Sequence, residues 1–352
     1  MSSFAAKMRQ TWDQNILFSV LLELTYNCNL DCSFCYNEKG IQGKPLSREQ
    51  YLELFQDLKS MSVFNLILSG GEPLAHKDFF FLGSKAREMG FVIRIKSNGH
   101  ALHPATAKRL KEEVDPFSIE ISLHGACAKT HDKQTRVPGS FVQLVKNLRT
   151  LKTLGIRFQL NSVLTRWNEN EIADMYNLAE KFEVPLKFDS QVTPRDNGDQ
   201  SPLEIAPSAQ KLRELLQIQH NFREQTKADK AAQTATPRSY CGAGASTIAI
   251  DPVGNVFPCV QWRRKLGNLH RDKIRQIWEN NAILTSIRQV NEEARKNILA
   301  QGEKVSRGAF CPGVADLMTG DASTIYPSVL LRSKLYEDIL NRSGTDEKLT
   351  TE

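Results

Sequence analysis

A long hydrophobic run is missing from this sequence of 352 residues. Its longest apolar stretch, residues 16–24, contains Ser19 and Glu23 and is too short to cross a bilayer. The N-terminal residues MSSFAAKMRQTWDQN lack the apolar core of a secretory signal. We therefore expect a cytoplasmic protein rather than a secreted or membrane-spanning one.

A strong excess of one charge is also missing. The 46 Lys and Arg residues stand against 40 Asp and Glu residues, which leaves a net charge of +6. Since the charges are dispersed along the chain, we expect neither nucleic acid nor a membrane surface as a partner. Cysteine is scarce, with seven residues, and a reducing compartment disfavours disulfides. The thiols are therefore candidate metal ligands or unmodified side chains.

Three of the cysteines, Cys28, Cys32 and Cys35, form a C-x3-C-x2-C pattern in the segment TYNCNLDCSFCY. Soft thiolates favour zinc, copper(I) or iron–sulfur clusters, and three can hold three irons of a [4Fe-4S] cube while the fourth iron stays open. A structural zinc site usually has two ligand pairs, but no second C-x2-C occurs in the sequence. Zinc with a distant fourth ligand, or three unligated thiols, are the alternatives.

The pattern C-x3-C-x-F-C after a first strand resembles the cluster loop of radical S-adenosylmethionine (SAM) enzymes. In that family the open iron binds the amino and carboxylate groups of SAM. One electron from the cluster then cleaves SAM to methionine and a 5′-deoxyadenosyl radical, which removes a hydrogen atom from the substrate. The resemblance implies a SAM-binding [4Fe-4S] cluster at Cys28, Cys32 and Cys35, an oxidoreductase activity, and an electron donor such as flavodoxin or ferredoxin.

Strand-like and helical segments alternate after the cysteine loop. Ser47 and Gln50 form a predicted capping box at the start of one helix, and Gly90 follows the end of another. Apolar patterns predict six strands, at residues 16–24, 64–68, 91–95, 117–123, 157–164 and 186–189. Because strands that alternate with helices form parallel sheets, we expect an α/β fold with a partial (β/α)6 TIM-like barrel.

Short unusual motifs follow the predicted strands. After the cysteine loop they are SGGEP at residues 69–73, SNG at 97–99, SLHG at 122–125 and LT at 164–165. In barrels the C-terminal ends of the strands form the reactive face. The motifs should therefore converge in space, although they are separated in the sequence.

The first two motifs are expected to bind SAM. Gly70 and Gly71 allow a ligand close to the backbone, although a Gly-Gly pair after a strand is usually only a turn. The resemblance implies that the GGE(P) stretch, with Glu72, binds the methionyl amine. Ser97 and Asn98 offer hydroxyl and amide groups suited to ribose and carboxylate oxygens.

Four later residues complete the expected SAM site. The resemblance places Ser122 and His124 near the ribose, where many relatives carry Asp in place of the histidine. It also makes Arg136 the expected clamp on the SAM carboxylate, because a planar bidentate donor suits that group. Leu164 is expected to pack on adenine. The structural alternatives are a histidine bonded to backbone, a solvated arginine and a core leucine.

A second set of cysteines lies near the C-terminus. Cys241 precedes, and Cys259 ends, two short alternating runs that flank Pro-Val-Gly-Asn and predict a β-hairpin; Cys311 follows about fifty residues later. The spacing, with the segment Leu266-Gly267-Asn268-Leu269, resembles the SPASM or twitch extension of peptide and sulfatase maturases. That resemblance implies an auxiliary iron–sulfur cluster at Cys241, Cys259 and Cys311.

The second set departs from the full extension, because Val314 stands where a partner of Cys311 is expected. Three thiols suffice for one cluster whose remaining iron takes Asp316, another side chain, water or the substrate. Ordinary buried thiols are the alternative. Cys127 is left over: on the reactive face it could donate a hydrogen atom to a product radical, as a catalytic residue, or complete a cluster, and a buried cysteine without such a role is the simpler interpretation.

The resemblances divide the chain into five parts. They are an N-terminal extension at 1–15, a radical SAM partial barrel at 16–200, a helical linker at 201–238, a SPASM/twitch-like domain at 239–325 and a C-terminal helix and tail at 326–352. At 352 residues the chain is long enough for a barrel-sized domain with a smaller one.

The leading hypothesis is a maturase of a ribosomally made peptide, which abstracts hydrogen before cross-linking, epimerisation or oxidation. The C-terminal extension and the segment FDSQVTPRDNGD, which resembles loops of peptide maturases, support it. Since no N-terminal leader-binding domain is recognised, we expect a separate leader-recognition protein. A small molecule such as a carbohydrate or tetrapyrrole precursor, a sulfatase, or a zinc-stabilised scaffold without catalysis are the alternatives.

Overall fold

A nine-stranded sheet lies at the centre of the computed structural model, which describes residues 4–37, 40, 42–226, 241–300 and 310–349. The strands are β1 Ser19–Thr25, β2 Asn65–Gly70, β3 Val92–Ser97, β4 Ser118–Ser122, β5 Phe158–Val163, β6 Leu186–Asp189, β7 Thr247–Ile250, β8 Asn255–Phe257 and β9 Gly267–Asn268. Their order across the sheet is β6-β5-β4-β3-β2-β1-β7-β8-β9.

Helices follow most of the strands and cover the outside of the sheet. The α-helices are α1 Phe4–Asp13, α2 Arg48–Ser60, α3 Phe79–Glu88, α4 Pro104–Arg109, α5 Ala128–Thr135, α6 Ser140–Thr153, α7 Ile172–Phe182, α8 Ala209–Thr226, α9 Ile274–Glu279, α10 Ala282–Ala300, α11 Pro312–Thr319 and α12 Pro327–Leu349. A π-helical turn, Leu110–Val114, continues α4 and ends at Asp115 in a left-handed conformation. Short 3-10 turns lie at Pro73–Ala75 and Ser201–Ile205.

The first six strands are all parallel, which confirms the partial barrel predicted from the alternating pattern. On β3, Ile93 and Ile95 are buried in the hydrophobic core, whereas Arg94 and Lys96 between them line an inner cavity. Because successive side chains of a strand point to opposite faces, each strand gives an apolar face to the helices and a mixed face to the interior.

The predicted hairpin of the C-terminal region is confirmed as β7 and β8, which pair antiparallel. Asp251 closes its turn, because one carboxylate oxygen accepts bonds from the N–H groups of Val253 and Asn255 at 3.0 and 2.8 Å. The hairpin is not a separate sheet: β7 pairs in parallel with β1, from Ser19 opposite Thr247 onward. The sheet of the barrel therefore continues directly into the region that carries the second cysteine set.

The predicted start of α2 and the predicted end of α3 are confirmed. Ser47 and Gln50 form the reciprocal capping box of α2, and Gly90 follows α3 with φ of +87°. Within the helical linker predicted over 201–238, residues Ala209–Thr226 form α8, and residues 227–238 lie outside the described residues. Among the helices described, none has the length and apolar character needed to cross a membrane.

Candidate active site and metal centres

A large cavity lies at the C-terminal ends of the parallel strands, where the motifs were predicted to converge. Its volume is about 1710 Å³. The wall includes nine of the predicted site residues, namely Cys28, Cys32, Cys35, Gly70, Gly71, Ser97, Asn98, Ser122 and His124. It also includes Cys311 from the second cysteine set. One cavity thus joins the two cysteine sets that are far apart in the sequence.

The cysteine loop is held in place by elements that follow it much later in the chain. The N–H of Ser33 donates to the carbonyl oxygen of Gln134 near the end of α5, at 3.0 Å. The Arg195 guanidinium, in the loop after β6, donates to the carbonyl oxygen of Cys35 at 2.8 Å. These bonds fix the loop backbone, so the direction of its thiols depends on the barrel and not only on the local sequence.

The sulfur of Cys28 receives two N–H donors. The Leu30 backbone N–H lies 3.5 Å from Sγ, and Nδ2 of Asn98, at the end of β3, lies 3.6 Å from it. Such donors stabilise a thiolate and tune the reduction potential of a cluster that it holds. Asn98 therefore connects the second expected SAM motif directly to the cysteine loop.

The glycine that ends β2, Gly70, and the one directly after it, Gly71, have no room for side chains. A Cβ atom on Gly70, whose φ is +128°, would lie 2.2 Å from the carbonyl oxygen of Thr25. On Gly71 it would lie 2.6 Å from the carbonyl oxygen of Asn27. Since both glycines line the cavity, their backbone is the surface that a ligand would meet beside the cysteine loop.

Glu72 is placed differently from the expectation that its side chain binds the methionyl amine. It is 1% exposed and does not belong to the cavity wall; instead, its carboxylate accepts bonds from Ser97 Oγ at 2.9 Å, the Asn98 N–H at 2.9 Å and the Leu74 N–H at 3.2 Å. Burial raises the pKa of Glu72 to about 7, and the backbone donors oppose that rise. The carboxylate joins the end of β3 to the glycine motif.

His124 faces the cavity with a ring that has unused hydrogen-bonding capacity. The residue is buried, its Nδ1 has no hydrogen-bond partner in the described structure, and Ser122 lies on the same wall. Burial first, and then the nearby His131, lower the pKa of His124 well below its ordinary value. A neutral imidazole beside a serine hydroxyl is suited to the hydroxyl groups of a ribose.

Arg136 and Leu164 lie outside the cavity wall. The Arg136 guanidinium is about half exposed and pairs with Asp31 at 3.4 Å, on the outer side of the cysteine loop. Leu164 is fully buried in the hydrophobic core, and its neighbour Val163 lines the cavity instead. The structure therefore does not bring these two residues to the place where SAM contacts were expected.

Cys127 also lies outside the cavity wall, and it is exposed rather than buried as the simpler interpretation expected. It stands before α5, with its thiol 3.6 Å from a carboxylate oxygen of Glu171 and 3.8 Å from the Thr130 hydroxyl. A hydrogen-donating thiol has to reach the substrate. This location gives no support to a catalytic role for Cys127 or to its completing a cluster.

The second cysteine set comes together from three separate segments. Burial raises the pKa of Cys241 to about 12, and the neighbouring Cys311 and Cys259 thiols add to that rise. Burial likewise raises the pKa of Cys259, and raises that of Cys311 to about 11. Because the thiols influence one another's pKa, the three segments lie near one another, and each thiol remains partly accessible, which is compatible with a metal site.

Close backbone contact brings Cys311 to the segment after Cys259. A Cβ atom on Gly313 would lie 2.4 Å from the carbonyl oxygen of Gln261, so only glycine allows this approach. Asp316, a candidate fourth ligand, is engaged elsewhere: it forms two bonds with Arg264, at 2.8 and 2.5 Å, and one with Trp262 Nε1, at 3.0 Å.

Two family models match the chain over these two regions. The radical SAM superfamily matches residues 22–179, which contain the first cysteine set and the strand-end motifs. The SPASM family, described as an iron–sulfur cluster-binding domain, matches residues 241–300. The chain is a radical SAM enzyme with a C-terminal SPASM domain.

Curated relatives of this radical SAM enzyme differ in what their names say they do. An AdoMet-dependent heme synthase of Methanosarcina barkeri is 26% identical over 85% of this chain and 92% of its own length. The mycofactocin maturase MftC of Mycobacterium ulcerans is 29% identical over 76% of each chain. A PqqA peptide cyclase of Bradyrhizobium diazoefficiens is 23% identical over 96% of this chain and 92% of its own length.

Solved structures confirm the fold. The structure of anSMEcpe with bound AdoMet and the Cp18Cys peptide matches with a TM-score of 0.70 at 15% identity, over 93% of this chain and 99% of that chain. Streptococcus suis SuiB bound to the precursor peptide SuiA matches with a TM-score of 0.63 at 16% identity, over 80% of this chain and 69% of that chain.

Membership in the two families implies a [4Fe-4S] cluster with SAM and an auxiliary iron–sulfur cluster. The residues present fit the first group: three cavity-facing thiols lie beside a glycine cradle and an unpartnered His124 Nδ1. Within the described ranges, no three His, Cys, Asp or Glu side chains are grouped to hold a single metal ion, as a closed zinc site requires. The thiolates that ligate an iron–sulfur cluster lie farther from one another than those that ligate a single metal ion.

Two groups of residues around the site were not predicted from the sequence. One is a buried set that joins the cysteine loop to the SPASM domain through Glu23 and Arg263. The other is the inner wall, where Glu120 accepts bonds from Arg94 at 2.6 Å and from Lys96 at 2.8 Å. The sequence contained a signal for this inner wall, namely charged residues at alternate positions of otherwise apolar strands. A strand that is buried in apolar surroundings on both faces would carry no charged residues.

Proposed function

We propose that this radical SAM enzyme is a maturase that acts on a peptide, by hydrogen abstraction followed by cross-linking, epimerisation or oxidation. The observation that carries the proposal is the extent of the cavity, which runs from the first cysteine set to Cys311. It also reaches the sheet edge at β6, where Phe222 of α8 is 66% exposed. An apolar side chain at an open lip suits the entry of a peptide.

The size of the cavity supports a large substrate. Small-ligand pockets are commonly about 300–1,000 Å³, whereas this cavity measures about 1710 Å³. The volume therefore accommodates SAM together with a second molecule. Several curated relatives are named for peptide maturation or cyclisation, and SuiB has been solved with a precursor peptide, which favours a peptide as that second molecule.

In the proposal the first cluster is held by Cys28, Cys32 and Cys35, and the auxiliary cluster by Cys241, Cys259 and Cys311. When bound and reduced, the first cluster with SAM supplies the 5′-deoxyadenosyl radical. Cys311 belongs to the same cavity wall as the first set. In the proposal the auxiliary cluster ligates the substrate or accepts an electron from it, and the presence of Cys311 on the shared wall supports this role.

The protein residues bind and orient SAM in this proposal. The backbone at Gly70 and Gly71 lies beside the cysteine loop and receives the methionyl end. Ser122 and the neutral His124, whose ring packs against Phe34 of the cysteine loop with 4.5 Å between the ring centres, receive the ribose hydroxyls. Glu72 acts behind this surface, because it holds the end of β3 that carries Asn98.

A flavodoxin or ferredoxin would supply the electron, and a separate leader-recognition protein would present the peptide. The test is anaerobic reconstitution with iron and sulfide, followed by reduction in the presence of SAM and each peptide encoded near the gene. We expect 5′-deoxyadenosine together with a mass change in one peptide. Formation of 5′-deoxyadenosine with every peptide unchanged would overturn the peptide assignment.

A tetrapyrrole precursor is the second candidate substrate, because the heme synthase of Methanosarcina barkeri aligns over 92% of its own length. The polar inner wall around Glu120, with Arg94 and Lys96, is compatible with a substrate that carries carboxylates. A parallel reaction with a tetrapyrrole in place of the peptide separates the two. A change in its absorption spectrum and mass, with unchanged peptides, would establish this second function.

A further inference from the structure

A buried carboxylate ties together both ends of the first cysteine loop. Glu23 on β1 is 1% exposed, and its carboxylate accepts bonds from Tyr26 Oη at 2.9 Å and Tyr36 Oη at 3.0 Å. Tyr26 precedes Cys28 by two residues, and Tyr36 directly follows Cys35. The path of the loop between its two ends is therefore constrained by one side chain on the strand beneath it.

The positive charge opposite this carboxylate comes from the SPASM domain. Arg263 follows Cys259 by four residues, and its Nη1 and Nη2 donate to the two oxygens of Glu23 at 2.9 and 3.2 Å. The same guanidinium lies 3.2 Å from Asp196 and 5.1 Å from the centre of the Phe257 ring. Its side chain is 14% exposed, so the pair is shielded from water.

The loop after β6 completes the connection. The backbone N–H of Asp196 donates to the carbonyl oxygen of Tyr36 at 2.8 Å. Arg263 thus contacts, directly or through one residue, the strand below the cysteine loop, the C-terminal end of that loop and the segment that carries Cys259. Removing one partner of a buried ion pair leaves the other charge unpaired, which is strongly unfavourable.

We propose that Arg263 is a positioning residue for the first metal centre: the SPASM domain supplies it to hold the cysteine loop in the geometry that binds SAM. The inference rests on membership in the radical SAM family and on Cys28, Cys32 and Cys35 as ligands. It does not depend on the identity of the substrate. Its consequence is that a substitution in the C-terminal domain changes SAM binding at the N-terminal cluster.

The test compares Arg263→Met with Arg263→Lys and with the neighbouring control Arg264→Met. The control removes an arginine whose side chain is 45% exposed and pairs with Asp316, without contact to the cysteine loop. Each full-length protein is reconstituted anaerobically, its iron content is measured, and the Kd for SAM is determined by titration. The electron paramagnetic resonance spectrum of the reduced first cluster is recorded with and without SAM.

For Arg263→Met we expect the Kd for SAM to rise about tenfold, equivalent to about 1.4 kcal/mol, and the spectral change on SAM addition to be reduced. Arg263→Lys keeps the charge but not the bidentate geometry, so it should give an intermediate value. Arg264→Met should bind SAM as the unmodified enzyme does.

Three results would overturn the proposal. They are an unchanged Kd and spectrum in Arg263→Met, an equal loss in Arg264→Met, or a lysine variant with fully normal SAM binding. If Arg263→Met fails to load iron at the first centre while Arg264→Met loads fully, the proposal is supported by that difference. Failure of both to load would show a general instability and would overturn the specific role.

Discussion

The two cysteine sets of this enzyme are built in opposite ways. Cys28, Cys32 and Cys35 come from one short loop, whereas Cys241, Cys259 and Cys311 come from three segments that meet only in the folded chain. The first set lies on the wall of the cavity, and of the second set only Cys311 does so. A ligand in the cavity can therefore reach all three thiols of the first set but only Cys311 of the second set.

The contacts that hold the two cysteine sets in place also differ. The first loop is held from outside, by Gln134, Arg195 and the Glu23–Arg263 pair. In the second set a close backbone approach at Gly313 joins the segments of Cys311 and Cys259, and Asn291 Nδ2 donates to the carbonyl oxygen of Ala243 beside Cys241 at 2.8 Å. The motif that is compact in sequence thus depends on residues outside it for its geometry, whereas segments of the motif that is scattered in sequence contact each other directly.

The largest expected effect is that of Cys32→Ala in the first set. This variant should reduce 5′-deoxyadenosine formation to the level of reactions without enzyme, because a cluster with a missing ligand no longer presents its open iron to SAM. Liquid chromatography of anaerobic reactions measures the product. Cys127→Ser is the matched control, since its thiol lies outside the cavity wall; a comparable loss there would remove the distinction.

Cys259→Ala should separate SAM cleavage from product formation. It should lower the iron content by about four atoms per chain, the content of one [4Fe-4S] cluster, and block the finished product while 5′-deoxyadenosine still forms. Iron analysis and mass spectrometry of the substrate measure the two effects. Loss of both activities together would mean that the two centres cannot be separated by ligand removal.

Glu72→Gln should change the pH dependence of stability. Burial raises the pKa of Glu72 to about 7, so between about pH 4.5 and 7 the folded state binds more protons than the unfolded state, and the free energy of unfolding falls as pH rises. Relative to Glu72→Gln, the unmodified enzyme should lose up to about 3 kcal/mol across this range.

Urea unfolding at about pH 5.5 and 7.5, followed by circular dichroism, measures the effect of Glu72→Gln. Glu112→Gln is the control, because that side chain is 62% exposed. A difference between Glu72→Gln and the unmodified enzyme that stays constant with pH would contradict the buried carboxylate as its source.

Asn98→Ala should act on the first centre alone. It removes the N–H donor that lies 3.6 Å from Cys28 Sγ, and the loss of a donor to a cluster thiolate makes the reduction potential more negative. Redox titration followed by electron paramagnetic resonance measures both clusters. Asn177→Ala is the control, because Asn177 also lines the cavity but lies on α7 rather than beside the cysteine loop in the sequence. An equal shift at the auxiliary cluster would show that the effect is not local.

Arg136→Ala should have the smallest effect. Its ion pair with Asp31 is exposed on both sides, and such pairs contribute up to about 1 kcal/mol, so the Kd for SAM should rise less than about fivefold. The same SAM titration measures it. A much larger rise would restore the role expected from the family resemblance, a clamp on the SAM carboxylate.

Most of the barrel was predictable, because parallel strands followed by helices leave strong local patterns. The six strands, the capping box at Ser47 and the hairpin around Asp251 all rest on residues close together in sequence. The pairing of β7 with β1 was not predictable. Which strand pairs with the edge strand β1 depends on which apolar surface remains uncovered, and that is a property of the assembled barrel.

The sequence by itself determined the chemistry: three thiols in one loop, glycines after a strand and a second cysteine set specify soft ligands and a backbone cradle. Only the tertiary structure decided which side chains face the cavity. It turned Glu72 behind the wall, left Arg136 and Cys127 outside it and brought Arg263 under the cysteine loop. The reason is that residue type sets what a group can bind, whereas burial and contact with distant segments set where it points.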